Sequence, residues 1–101
     1  MKTETMVELL QKMFSEQSIR IVEEDGSERI VEGNVEGNVT LRVGEAAVKH
    51  LNTPEAKFYF CTEDSLLMTD YLNWEWFNKS LKEHGCFYEI YNPVEFLIYE
   101  I

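Results

Sequence analysis

Basic residues are scarce in this chain: 9 Lys+Arg stand against 19 Asp+Glu, a formal net charge of −10 on 101 residues. That balance disfavours direct binding to nucleic acid, which draws its affinity from phosphate neutralisation, and to anionic membrane surfaces. No apolar run approaches the ~20 residues needed to span a bilayer. Met1-Lys2-Thr3-Glu4 leads into a patterned helix rather than an apolar leader, so no secretory signal is expected. Only 2 Cys are present, too few for a disulfide scaffold, and both are read as reduced thiols of a cytoplasmic protein. Only 2 Pro and no Gly/Ser/Pro linker interrupt the sequence, so residues 1–101 are expected to form a single domain.

Aromatic residues are nearly absent from the first half: residues 1–57 hold Phe14 alone, while the other 12 follow Lys57. The second half must therefore supply most of the core, because each buried aromatic removes a large apolar area from water.

Patterning gives the elements. Thr5-x-x-Glu8 fits a capping box, and Met6, Leu9, Leu10, Met13 and Phe14 recur at helical spacing, which predicts a helix over about residues 4–15. Ile19 and Ile21, then Ile30 and Val31, then Val39, Leu41 and Val43 predict three strands, with Asp25-Gly26 as a tight turn. The Gly33-Asn34 and Gly37-Asn38 pairs break or bulge the chain, and short connections suggest an antiparallel meander. Gly44–Asn52 fits a short helix, stopped by Thr53-Pro54. Phe58-Tyr59-Phe60-Cys61 predicts a strand too apolar to face water on either side. With Thr62 as N-cap, Leu67, Tyr71, Trp74, Phe77 and Leu81 form a stripe that predicts a helix over 63–84, with a candidate break near Asn73 and a close at Gly85. Cys86–Tyr91 and Val94–Ile101 are two final strands around Asn92-Pro93, the last one central in the sheet. The expected class is α+β: an antiparallel or mixed sheet of five to six strands, with the N-terminal helix and helix 63–84 packed on one face. The crossover through helix 63–84 can make one strand pair parallel.

Catalytic patterns are lacking. Cys61 and Cys86 sit in apolar strands of an acidic chain, a setting that raises a thiol pKa. His50, Cys61, His84 and Cys86 lack metal-ligand spacing, and Glu23-Glu24-Asp25-Gly26 lacks the alternation of a calcium loop. Carboxylates are plentiful, but a 101-residue chain leaves little room for a pocket that pairs two of them, and no Gly-rich phosphate loop occurs. The expectation is a non-enzymatic protein with no metal and no cofactor.

Charge placement supplies the positive signal. From Glu16 to Glu36 there are seven acids and two bases. Glu23, Glu24, Asp25 and Glu28 bracket the turn, and Glu28, Glu32 and Glu36 share a strand face if the strand runs through. Carboxylates two residues apart on a strand are ~6.6 Å apart, comparable to neighbouring backbone phosphates. Glu63, Asp64, Asp70 and Glu75 form a second acidic strip, with Trp76 beside it as a candidate anchor; no Lys or Arg lies between Phe58 and Asn78. Together these residues suggest a stoichiometric inhibitor that binds a basic, nucleic-acid-handling protein. Phage anti-defence proteins of the anti-CRISPR or anti-restriction type, acting in the host cell cytoplasm, and nuclease immunity proteins are analogies drawn from composition alone. A simpler reading is an edge hairpin whose charges only block aggregation. A structural or assembly subunit, acting as a homodimer through its aromatic C-terminal strands, is a competing function. A thiol- or metal-dependent enzyme is a third.

Overall fold

The computed structural model describes residues 1–14, 16–62 and 71–101. Its elements run α1 (Thr3–Met13), β1 (Gln17–Val22), β2 (Glu28–Val31), β3 (Val35–Val43), α2 (Glu45–Leu51), β4 (Phe58–Thr62), α3 (Tyr71–Glu83), β5 (Cys86–Asn92) and β6 (Glu95–Glu100). The six strands form one mixed sheet in the order β2-β1-β3-β4-β6-β5, so the class is α+β as expected.

Helix α1 buries Met6, Val7, Leu9, Leu10 and Met13 along one stripe. It starts earlier than its cap signal suggests. Thr5 lies inside the first turn, Lys2 is the N-cap without a side-chain bond, and the capping box does not form. Burial of Met6 fixes the first turn instead: its N–H donates to the Lys2 carbonyl at 3.1 Å, and packing outweighs the cap.

The β1–β2 hairpin closes as expected. Gly26 sits at φ +88°, and the Asp25 carboxylate accepts from the Ser27 N–H at 2.9 Å and from its hydroxyl at 2.6 Å. The meander then fails. β3 pairs not with β2 but with the other side of β1, and it does so in parallel, Ile19 opposite Val39 and Ile21 opposite Leu41. The chain crosses beneath the start of β1 through Glu32-Gly33-Asn34. Asn34 donates its N–H to the Glu16 carbonyl at 2.8 Å, and Gly33 donates to the Ser18 hydroxyl at 3.0 Å. A Cβ on Gly33 would overlap the Glu16 and Gln17 backbone, so this crossing requires glycine. Gly37-Asn38 falls within β3, where the pairing register shifts between Gln17 and Ile19, a bulge as the sequence suggested.

The parallel pair is therefore β1–β3, not one made by the crossover through α3. β4 and β5 do run the same way, but β6 lies between them, antiparallel to both. Thr62 is the last residue of β4, paired with Val39, rather than the expected N-cap. Of the stripe expected over 63–84, Leu67 lies outside the described residues. From Tyr71 the helix runs unbroken through Asn73 to Glu83 and buries Phe77 and Leu81. Gly85 follows at φ +71°, with its N–H on the Lys82 carbonyl at 3.0 Å.

Helices α1 and α3 cover one face of the sheet over the main core. Helix α2 covers part of the other, where Ala47 packs with Ala56, Tyr59 and Leu97. β4 is thus covered on both faces, as its unbroken apolar run implied. Phe60 is the hub of the main core. It stacks on Phe96 with centroids 4.2 Å apart and meets Phe14 and Phe77 edge-on, each at 6.1 Å.

Candidate functional site

The carboxylates singled out in the sequence fall into three places. Glu23, Glu24 and Asp25 form the tip of the β1–β2 hairpin. Glu32 lies on the crossover beyond the opposite end of β2, a strand of only four residues or roughly 13 Å. Because β2 stops at Val31, Glu28, Glu32 and Glu36 do not share one strand face, and the evenly spaced ruler of carboxylates does not form. Glu36 belongs to β3, on the far side of β1. The crossing nevertheless brings Glu32 and Glu36 around one shallow depression of about 390 Å³, with Ser18, Arg20 and exposed Ile30.

The second strip is separate. Glu63, Asp64 and Asp70 lie outside the described residues. Glu75 and Trp76 are on α3, which packs over β5, at the opposite end of the sheet from β2. Trp76 is half-buried against the main core and borders a depression with Glu75, Lys79 and Lys82. The described residues therefore do not join the two strips into one surface.

Two of the hairpin acids are neutralised. Arg20 pairs with Glu28. Arg29 places Nε 2.6 Å from Glu23 and Nη2 2.9 Å from Glu4, and the hydrogen bond it donates to Glu23 raises its already high pKa. Asp25 is committed to its turn: the bonds from Ser27 hold its carboxyl below the usual value. Among the described residues no cation lies within ion-pair distance of Glu16, Glu24, Asp25, Glu32 or Glu36, all of them exposed.

A cationic group that the sequence reading did not assemble lies on the α2 face. Arg20, Arg42, Lys49 and His50 line a depression of about 430 Å³ together with Glu24, Asp25 and Glu28. Among the described residues the buried Arg42 Nε has no hydrogen-bond partner. The alternation of Arg20 and Arg42 with core residues was visible in the sequence. What brought them together, Val22 opposite Arg42 and Arg20 opposite Thr40 across the parallel pair, was not.

Beside it is a polar node. Tyr59 donates its hydroxyl to Glu95, and Asn92 donates its amide to the same carboxylate. The His50 ring lies 4.5 Å from that of Tyr59. Burial first, then the bond to Glu95, pushes the Tyr59 pKa up, while the bond from Tyr59 holds Glu95 down; the proton stays on the phenol. Burial and the nearby Arg42 charge lower His50. A carboxylate with a lowered folded-state pKa stabilises the fold above its unfolded value and loses that contribution as pH falls through the folded one. Glu95→Gln should therefore lower the urea midpoint at pH 7, and the gap to wild type should shrink as pH drops below 4.5, the ordinary glutamate value. A gap unchanged between pH 7 and about pH 3 would remove Glu95 from the node.

Both cysteines are free. Cys86 is fully buried, its thiol donates to the His84 carbonyl at 3.6 Å, and burial raises its pKa. Cys61 lies on the α2 side of β4, partly covered, and packs against the Ala47–Leu97 cluster. Among the described residues no group of three His, Cys, Asp or Glu is placed to hold a metal ion, and no helix is long and apolar enough to cross a membrane. Comparison with protein-family models, with curated proteins and with solved structures finds no match to this chain.

Proposed function

We propose that the chain is a non-enzymatic binding protein that docks a basic, nucleic-acid-handling protein against its β1–β2 side and inhibits it stoichiometrically in the cytoplasm, as phage anti-defence and nuclease immunity proteins do. The supporting observation is what remains after internal pairing. Arg20 and Arg29 are already engaged by Glu28, Glu23 and Glu4, which leaves Glu16, Glu24, Asp25, Glu32 and Glu36 without a counter-ion among the described residues. An incoming cationic surface supplies one. Exposed Ile30, 67% accessible, lines the same depression as Glu32 and Glu36 and adds an apolar contact. Attraction of this kind speeds association and weakens with salt.

The test is a charge reversal that spares the turn: Glu24→Lys, Glu32→Lys and Glu36→Lys together, with Asp25 retained because it holds Ser27. Immobilised wild-type chain should retain basic nucleic-acid-binding proteins from lysate at low salt and release them at high salt. The triple variant should bind the captured protein about a hundredfold more weakly at low salt, with the difference closing as salt rises. An unchanged affinity and salt profile would remove this side of the molecule from the proposal.

A further inference from the structure

The two edges of the sheet are built differently. β2 is short, and two of its four residues are charged, a common way of protecting an edge. β5 is seven residues long, contains no proline, and carries one charged residue, Glu89. Phe87, Ile90 and Tyr91 are 41%, 53% and 57% exposed along it. Among the described residues no strand pairs with its outer edge. The Ile101 N–H donates to the Gly85 carbonyl at 2.8 Å. Antiparallel alternation from that pair turns the backbone groups of Phe87 and Glu89 toward β6, and those of Cys86, Tyr88 and Ile90 outward.

We propose that the outer edge of β5 pairs antiparallel with β5 of a second copy, about a two-fold axis at Tyr88, and joins the two sheets into one. Symmetry favours this occupant. With the axis at Tyr88, Cys86 faces the partner's Ile90 and Phe87 faces the partner's Glu89, so Glu89 never opposes itself and all three outward-facing residues are paired. Charge favours it as well. Two chains of net charge −10 meet at least cost where carboxylates are fewest; this edge brings one from each copy, Glu89, set diagonally across the axis, while the acidic β1–β2 side is five strand spacings away, about 24 Å. A basic partner is drawn to that far side. The edge itself suits a neutral, apolar strand, and this chain carries one. Phe87 already stacks on Tyr99, with centroids 5.3 Å apart, which gives a rigid aromatic ledge on one face of the junction while Ile90 lies on the other.

The experiment is light scattering on the full chain over a range of concentrations, with two single variants. Wild type should reach twice the 11.9 kDa chain mass. Ile90→Lys places a charge opposite its own symmetry mate's strand and should raise the dissociation constant about tenfold or more. Glu8→Lys, on the exposed side of α1, should leave the dimer unchanged. Amide exchange at Tyr88 and Ile90 in unaltered protein should slow as concentration rises, a readout independent of whether the variant folds. A mass of 11.9 kDa at every concentration, or a dimer whose Tyr88 and Ile90 amides show no concentration-dependent protection, overturns the proposal. High salt should leave the dimer intact while it releases a basic partner, so failure of either reading is distinguishable from failure of the other.

Discussion

Phe60→Ala should lower the unfolding free energy by about 3–5 kcal/mol and the melting temperature by at least about 12 °C. Phe60 is 0% exposed at the middle of β4, with Leu41 of β3 on one side and Phe96 of β6 on the other. Its ring also touches Phe14, just beyond α1, and Phe77 on α3. No single helix can settle into the space left behind, because each is held by other contacts, so the cavity term adds to the lost transfer energy. A domain of this size holds only about 5–15 kcal/mol in total, so the variant approaches the unfolding threshold. Phe60→Leu keeps most of the volume and should lose about 1.5 kcal/mol or less. Urea unfolding of both variants checks the pair. Near-equal midpoints for alanine and wild type would mean that the core is not centred on this ring.

This hub was legible in the residue pattern alone. The concentration of aromatics after Lys57, the two-sided apolar run of β4 and the Trp74–Phe77–Leu81 stripe all pointed to it, and Phe60, Phe77 and Phe96 meet there. The expectation that the second half supplies most of the core is corrected: among the described residues ten of the seventeen in the main cluster, from Met6 to Leu41, come from the first half, most of them aliphatic side chains packed around the aromatic hub. Periodicity reads such elements because burial acts on every second or every third to fourth residue. Partner choice between strands leaves no such periodic trace. The alternating pattern of Ile19 and Ile21 is satisfied equally whether Val39 and Leu41 arrive beside β2 or beside β1, so the meander and the observed parallel pair read alike. The error carried into the site: Glu28, Glu32 and Glu36 look collinear only if the strand continues through Gly33. For the same reason nothing in the residue pattern marks Arg20 and Arg42 as neighbours on the α2 face. The Thr5–Glu8 pattern shows the converse, a genuine local signal overruled by the burial of Met6.

Gly33→Ala should cost about 2–4 kcal/mol, through overpacking against backbone and weakening of hydrogen bonds worth about 1 kcal/mol each. The reason is space rather than backbone conformation. A methyl group at Gly33 would overlap the Glu16 carbonyl oxygen and lie 2.6 Å from the Gln17 carbonyl carbon, and neither is the end of a flexible side chain that can swing away. Relief requires the crossover to drop from beneath β1. That lengthens the Asn34 bond to the Glu16 carbonyl and the Gly33 bond to Ser18, and pulls Val35 from its register with Gln17. Gly26→Ala is the control: that glycine has φ +88° but no atom within 4 Å of the added carbon, so only the conformational cost of about 1 kcal/mol applies. Urea unfolding should rank the two variants with Gly33→Ala the weaker, and the reverse order would show that the crossing tolerates a wider path. The same substitution reaches the proposed docking side. Glu32 is adjacent to the crossing glycine, Glu36 follows within β3, and the depression around Ile30 exists because the chain turns there. Among Gly33→Ala molecules that remain folded, affinity for a basic partner should fall while its dependence on salt persists, since the carboxylates are still present but no longer held together.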